Sequence, residues 1–192
     1  MKKIYMVHCW DGNRDDGWYP WLDENISDEN VKVYRFNMPD TNNPKIDAWV
    51  SYLSEQVKDL DSETYFVGHS IGCQTIMRYL QDKDIKIGGI LFVAPWLELL
   101  PEAVSDKESL ITATPWLNTP ICFDNIRNIC DNITCIFSDN DYFVPLEQES
   151  EFKKLLNAKT IIVNGMGHIS IDDGIEKLEK AYDALMEIIN KN

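Results

Sequence analysis

The chain has 192 residues, enough for one domain with a substantial core, and its apolar and charged fractions are ordinary for a globular protein. Its formal net charge of −14, from 32 acidic and 18 basic residues, repels phosphate backbones and anionic lipid headgroups, so neither nucleic acid nor a membrane surface is an expected partner. The apolar run behind the two opening lysines is too short for a signal peptide, and five cysteines without metal-site spacing read as the reduced thiols of a cytoplasmic protein.

Taken in chain order, six short runs rich in Ile, Val, Phe and Tyr read as strands: residues 4–7, 31–36, 65–67, 87–94, 133–137 and 160–163. Between them lie helical patterns. Ile46, Trp49, Val50, Leu53, Val57 and Leu60 fall at helical spacing, with Asn43-Pro44 as cap and first-turn proline. A second helix spans 71–80, with Ile76, Met77 and Leu80 on its inner face. A third carries Ile175, Leu178, Tyr182, Leu185 and Ile189. Such alternation predicts an α/β fold, a parallel sheet covered by helices on both sides. Residues 96–120 break the rhythm, with three prolines, two tryptophans and no sustained period. The expectation is one domain over 1–192 with a small cap-like insertion at 96–120.

Gly68-His69-Ser70-Ile71-Gly72 follows the third strand and precedes a helix, the context of a nucleophile elbow. A serine there sits on a tight turn, and the helix beneath favours negative charge developing on a substrate oxygen. The N–H of Ile71 is placed to donate to that oxyanion. A serine nucleophile needs a base, and the chain has three histidines. His69 adjoins the serine and should point away from it. His8 ends the first strand, where this architecture builds its oxyanion loop. His168 follows the sixth strand in Asn164-Gly165-Met166-Gly167-His168 and is the expected base. The acid should follow the fifth strand, where Asp139 and Asp141 both stand. The order serine, aspartate, histidine is that of α/β-hydrolases, and all three loops fall at carboxyl ends of parallel strands, where open α/β sheets build their sites.

These residues resemble the YdeN-like serine hydrolases, the group that includes retinoblastoma-binding protein nine. The resemblance runs through His8-Cys9-Trp10-Asp11-Gly12-Asn13, Trp18-Tyr19-Pro20-Trp21-Leu22 and Asn37-Met38-Pro39-Asp40. It continues through the elbow, the segment from Asp141 to Pro145, and Gly167-His168. It implies a three-layer α/β-hydrolase fold with six parallel strands in the order 2-1-3-4-5-6. It also implies Asp141 as the acid, from its spacing to Pro145, with Asp139 capping backbone donors. The N–H of Trp10 becomes the second oxyanion donor, with Cys9 as fallback; Cys9 stands where relatives carry glycine. The reaction implied is acyl transfer without a cofactor, on small carboxylic esters and by extension thioesters or amides.

Other signals carry less. Residues 11–17 look like a calcium loop but have Asp16 where that loop needs glycine and Leu22 where it needs glutamate, so no metal is expected. Gly165 and Gly167 make no dinucleotide fingerprint. Cys73 reads as a buried core thiol. Trp10, Trp96 and Trp116 are candidate substrate contacts near the catalytic end. The alternative to an enzyme is a hydrolase-fold protein whose main role is to bind a protein partner.

Overall fold

Strands that stay apolar on both of their alternating faces are satisfied only in a sheet with two covered sides. The computed structural model describes residues 1–191 and contains one such sheet. Its strands are β1 (Lys2–Val7), β2 (Val31–Arg35), β3 (Thr64–His69), β4 (Gly89–Val93), β5 (Ile133–Ser138) and β6 (Lys159–Val163). All neighbours pair in parallel, in the expected order β2-β1-β3-β4-β5-β6. On β1, Ile4 and Met6 enter one core cluster while Tyr5 and Val7 enter the other, and on β3 Tyr65 and Val67 oppose Phe66 in the same way.

One face is covered by α1 (Tyr19–Ile26) and α7 (Glu179–Asn190), through Leu22, Ile26, Leu185 and Ile188. The other is covered by α2 (Ile46–Gln56), α3 (Ile71–Leu80), α5 (Phe123–Ile129) and α6 (Gln148–Leu156). Helix α2 stops short of the predicted pattern, because Val57 is already extended at φ −89° and ψ 96°. Its N-cap is Lys45, so Asn43 and Pro44 lie outside it. They serve α4 (Lys107–Asn118) instead: the Thr112 hydroxyl bonds Asn43 Oδ1, and Trp116 Nε1–H donates to the Pro44 carbonyl. Helix α7 begins after Ile175 and Leu178. Strand β4 is shorter than the apolar run 87–94, since Ala94 turns to φ 47° and ends the extended backbone.

The segment 96–120 is ordered around a 3₁₀ turn (Pro101–Val104) and α4. The helix starts on Asp106, whose carboxylate accepts the N–H groups of Glu108 and Ser109. No apolar period announces it, because its outward residues include Leu110 and Ile111 while its buried face is Thr112, Ala113 and Trp116. The segment is tied down at both ends. Gln148 Oε1 accepts the N–H groups of Leu97 and Glu98. Arg78, buried on α3, donates to the carbonyls of Trp116 in the last turn of α4 and of Thr119 and Pro120 just beyond it.

The elbow joins β3 to α3 at Ser70, which takes φ 54° and ψ −120°. The start of α3 can approach the neighbouring strand β1 only if position 72 lacks a side chain. A Cβ on Gly72 would lie 2.3 Å from the Val7 carbonyl oxygen and 2.7 Å from that of His8. Gly72→Ala should therefore cost about 3 kcal/mol through overpacking against backbone. For a chain of this length that is a fall of roughly 6–12 °C in Tm, read by thermal melting followed by circular dichroism; an unchanged Tm would show that the contact relaxes freely.

Candidate active site

Five loops meet above the carboxyl ends of the strands. Ser70 follows β3, His8 to Asp11 follow β1, Trp96 follows β4, Asp141 follows β5 and His168 follows β6. His168 Nε2 lies 2.9 Å from Ser70 Oγ, and His168 Nδ1 lies 2.8 and 3.1 Å from the two carboxylate oxygens of Asp141. The side chains of His168 and Asp141 are 8% and 2% exposed, so the chain of contacts is shielded from water.

The partners determine every proton in it. A carboxylate only accepts, so Nδ1 carries the imidazole proton and Nε2 is left as an acceptor. Trp96 Nε1–H donates to Ser70 Oγ at 3.3 Å. An indole can only donate, so the serine's own proton is directed at His168. Asp141 Oδ1 also accepts the N–H groups of Phe143 and Val144 at 2.8 and 3.0 Å, which hold the carboxylate in place. A serine hydroxyl, an imidazole and a carboxylate are thus in contact, an arrangement suited to acyl transfer.

The loop that carries His168 is built on the four residues after the core of β5. Asp139 Oδ1 accepts from Gly165 N–H, Ser138 Oγ from Met166 N–H and Asn140 Oδ1 from Gly167 N–H. Asp141 then meets the His168 ring. Asp139 thus caps a backbone donor, as expected, and Asp141 is the aspartate that reaches the imidazole. Ile169 takes φ 59°, unusual for a β-branched residue. Its carbonyl is held by Trp18 Nε1–H at 3.0 Å.

The other two histidines fasten the loop after β1. His8 Nε2 accepts the Met38 N–H at 3.0 Å, so its Nδ1–H donates to the Cys9 carbonyl at 2.7 Å. The Cys9–Trp10 peptide is trans, so the Trp10 N–H lies on the side opposite His8. His69 Nε2–H donates to the His168 carbonyl at 2.9 Å, which leaves Nδ1 to accept the Tyr19 hydroxyl at 2.6 Å. The Tyr19 oxygen in turn accepts the Cys9 N–H at 3.3 Å. That N–H is therefore committed, which weakens Cys9 as the fallback donor. Sequence reasoning missed Tyr19, Asn140 and the bridging role of His69; only their proximity to motif residues hinted at them.

A cavity of about 450 Å³ opens over these groups, with Ser70, His168, Trp10, Trp96, Tyr142 and Phe143 among its walls. Trp116 is not among its lining residues. The need of its buried N–H for the Pro44 carbonyl turns it into the core, where its ring stacks edge-on with Trp49 at 6.2 Å. Cys73 is fully buried, its thiol facing the Val93 carbonyl, and burial raises its pKa well above the ordinary range. Residues 13–16 close a turn of their own, with the backbone N–H and the side-chain amide of Asn13 donating to the Asp16 carboxylate.

A family model described as serine hydrolase matches residues 4–187. The chain belongs to the serine hydrolase family. The hydrolase is 27% identical to YdeN of Bacillus subtilis, a protein assigned as a hydrolase, over 99% of this chain and 97% of that one. The crystal structure of the ydeN gene product matches with a TM-score of 0.89, covering 99% and 100% of the two chains at 26% identity. Serine hydrolase RBBP9 of Rattus norvegicus is 24% identical over 79% of this chain and 77% of its own. Est1E of Butyrivibrio proteoclasticus, solved with ferulic acid, shares the fold at a TM-score of 0.71 and 17% identity, covering 99% and 90%. The fold is therefore that of the α/β-hydrolases, and this member is an enzyme of the hydrolase class.

Burial, reinforced by the adjacent His168 ring, lowers the pKa of His69 to about 3. The unfolded chain takes up this proton near pH 6.5, whereas the native state refuses it until far lower. His69 thus contributes fully to stability above pH 6.5, and that contribution is lost as pH falls toward 3, at about 1.4 kcal/mol per pH unit. In His69→Gln, urea unfolding measured between pH 6 and pH 4 should show a slope shallower by about that amount. Equal slopes in the two proteins would mean that His69 is not neutral in the fold.

Proposed function

We propose that this serine hydrolase cleaves small carboxylic esters through an acyl-enzyme on Ser70. The observation that carries the reading is the contact of Ser70 Oγ with His168 Nε2 at 2.9 Å, with Asp141 bonded behind the ring. Ser70 Oγ attacks the ester carbonyl as His168 takes its proton, and Asp141 holds the imidazole and stabilises its charged form. The N–H groups of Ile71 and Trp10 receive the tetrahedral oxyanion. The first stands at the start of α3, and the second points away from the Cys9 carbonyl that His8 holds. The proton then passes from His168 to the leaving alcohol, and a water activated by the same histidine releases the acid.

The segment 96–120 acts in this reading as a cap, since Trp96, Leu99, Ala103 and Thr112 form one wall of the cavity. The intact relay of hydrogen bonds argues against a fold retained only to bind a protein partner. No helix among the described residues is long and apolar enough to cross a membrane. Membership of the family suggests small-molecule substrates.

Ser70→Ala should abolish labelling by a fluorophosphonate probe while circular dichroism stays unchanged, and ester turnover should fall on the order of 10⁴-fold or more. Labelling that persists in this variant would move the nucleophile elsewhere.

The two aspartates separate cleanly. Asp141→Asn should lower turnover on the order of 10⁴-fold, because an amide favours the wrong imidazole tautomer. Asp139→Asn loses one charge-assisted bond to the Gly165 N–H and should cost about 1–2 kcal/mol of stability with far less effect on turnover. Steady-state kinetics on a chromogenic ester, with urea unfolding of both variants, decides the assignment; the reverse ranking would identify Asp139 as the acid.

A further inference from the structure

The walls of the cavity carry four carboxylates and, among the described residues, no lysine or arginine. They arrive from three separate parts of the chain: Asp11 from the loop after β1, Asp106 and Glu108 from the start of α4, and Asp172 from the loop after His168. None of them forms an ion pair among the described residues, although other surface carboxylates pair with lysine or arginine. Asp106 is partly spent as the cap of α4. Asp11, Glu108 and Asp172 are exposed and line the cavity, and Lys107, the chain neighbour of Glu108, is not among its walls.

The same cavity is also lined by aromatic side chains, Trp10, Trp96, Tyr142 and Phe143. The face of an aromatic ring attracts a cation and offers an anion nothing. Like charges lining a cleft with low-dielectric walls concentrate their field inside it, and so raise the local concentration of the opposite charge. Both features select for one sign. The cavity is a substrate site on separate grounds, because the Ser70–His168 contact lies on its wall.

We propose that the enzyme prefers esters or thioesters that carry a positively charged group, an amine or quaternary ammonium, close to the scissile carbonyl. The proposal rests on the hydrolase reading of Ser70 given above. Asp11, Glu108 and Asp172 set the preference through their field, and the aromatic walls receive the cation.

The test compares butyrylthiocholine with its neutral isostere, 3,3-dimethylbutyl thiobutyrate, in which carbon replaces the quaternary nitrogen. At low ionic strength the cationic compound should show a kcat/KM at least about 10-fold higher. The advantage should shrink several-fold in roughly 0.5 M NaCl as the exposed carboxylates are screened. In the triple variant Asp11→Asn, Glu108→Gln, Asp172→Asn the ratio should approach one; asparagine tolerates the φ of 56° at position 11. A ratio at or below one in the unmodified enzyme overturns the proposal, as does a ratio unmoved by salt and by the triple variant. Turnover of neither compound by a protein whose Ser70 still takes the fluorophosphonate label overturns it too. Loss of that label is a different result, because it overturns the hydrolase reading itself.

Discussion

The strained backbone at Ser70 is the constraint on which the rest of the structure depends. A non-glycine residue at φ 54° and ψ −120° persists only where its surroundings leave it no alternative. The surroundings here are a strand and a helix in contact across Gly72, a Ser70 N–H bonded to the Val93 carbonyl, and a Cys73 N–H bonded to Ser70's own carbonyl. The parallel sheet exists in this order so that β1 and β4 flank β3 and supply those contacts. Strain is thereby placed where a hydroxyl must project into a cavity, and the two buried faces of the sheet sustain it.

Around that point the hydrogen bonds share one property, which is that their directions are forced. Indole and backbone N–H groups only donate, and carboxylates and carbonyls only accept. Each of the three histidines sits between one group of each kind or is coupled to one, so none has a choice of tautomer. One result is that the loop after β1, the elbow and the loop after β6 are joined by Cys9, Tyr19, His69 and the His168 backbone into a single connected frame. The His168 imidazole is oriented from one side by a carboxylate, and its main chain is held from the other.

How much of this was legible depended on the type of signal. The strands could be read because a run buried on both faces is apolar throughout, and the elbow because its glycines answer a steric demand visible in their spacing. Ser70 and His168 followed from chain order, and the choice of Asp141 needed the resemblance through Pro145. Helices α1, α5 and α6 did not stand out. They are short, and α6 buries little besides Phe152 and Leu156. Helix α4 was hidden because Leu110 and Ile111 face outward, which erases the period. Trp116 was misplaced for a related reason: a tryptophan near a site in sequence is drawn away by the nearest carbonyl that can satisfy its N–H. No local pattern records that partner, since Pro44 lies 72 residues away.

The ladder from Ser138–Asp141 to Gly165–His168 ties the His168 loop to the margin of the sheet. Strand β6 has a neighbour on one side only, and its Ile162 is 48% exposed. Edge elements with little cover are where a native protein opens first, in excursions far smaller than global unfolding. His168 thus follows a poorly covered edge strand, while Ser70 follows a fully buried one. A fraying of β6 from β5 would therefore carry His168 away from Ser70 while leaving the strand before the serine in place.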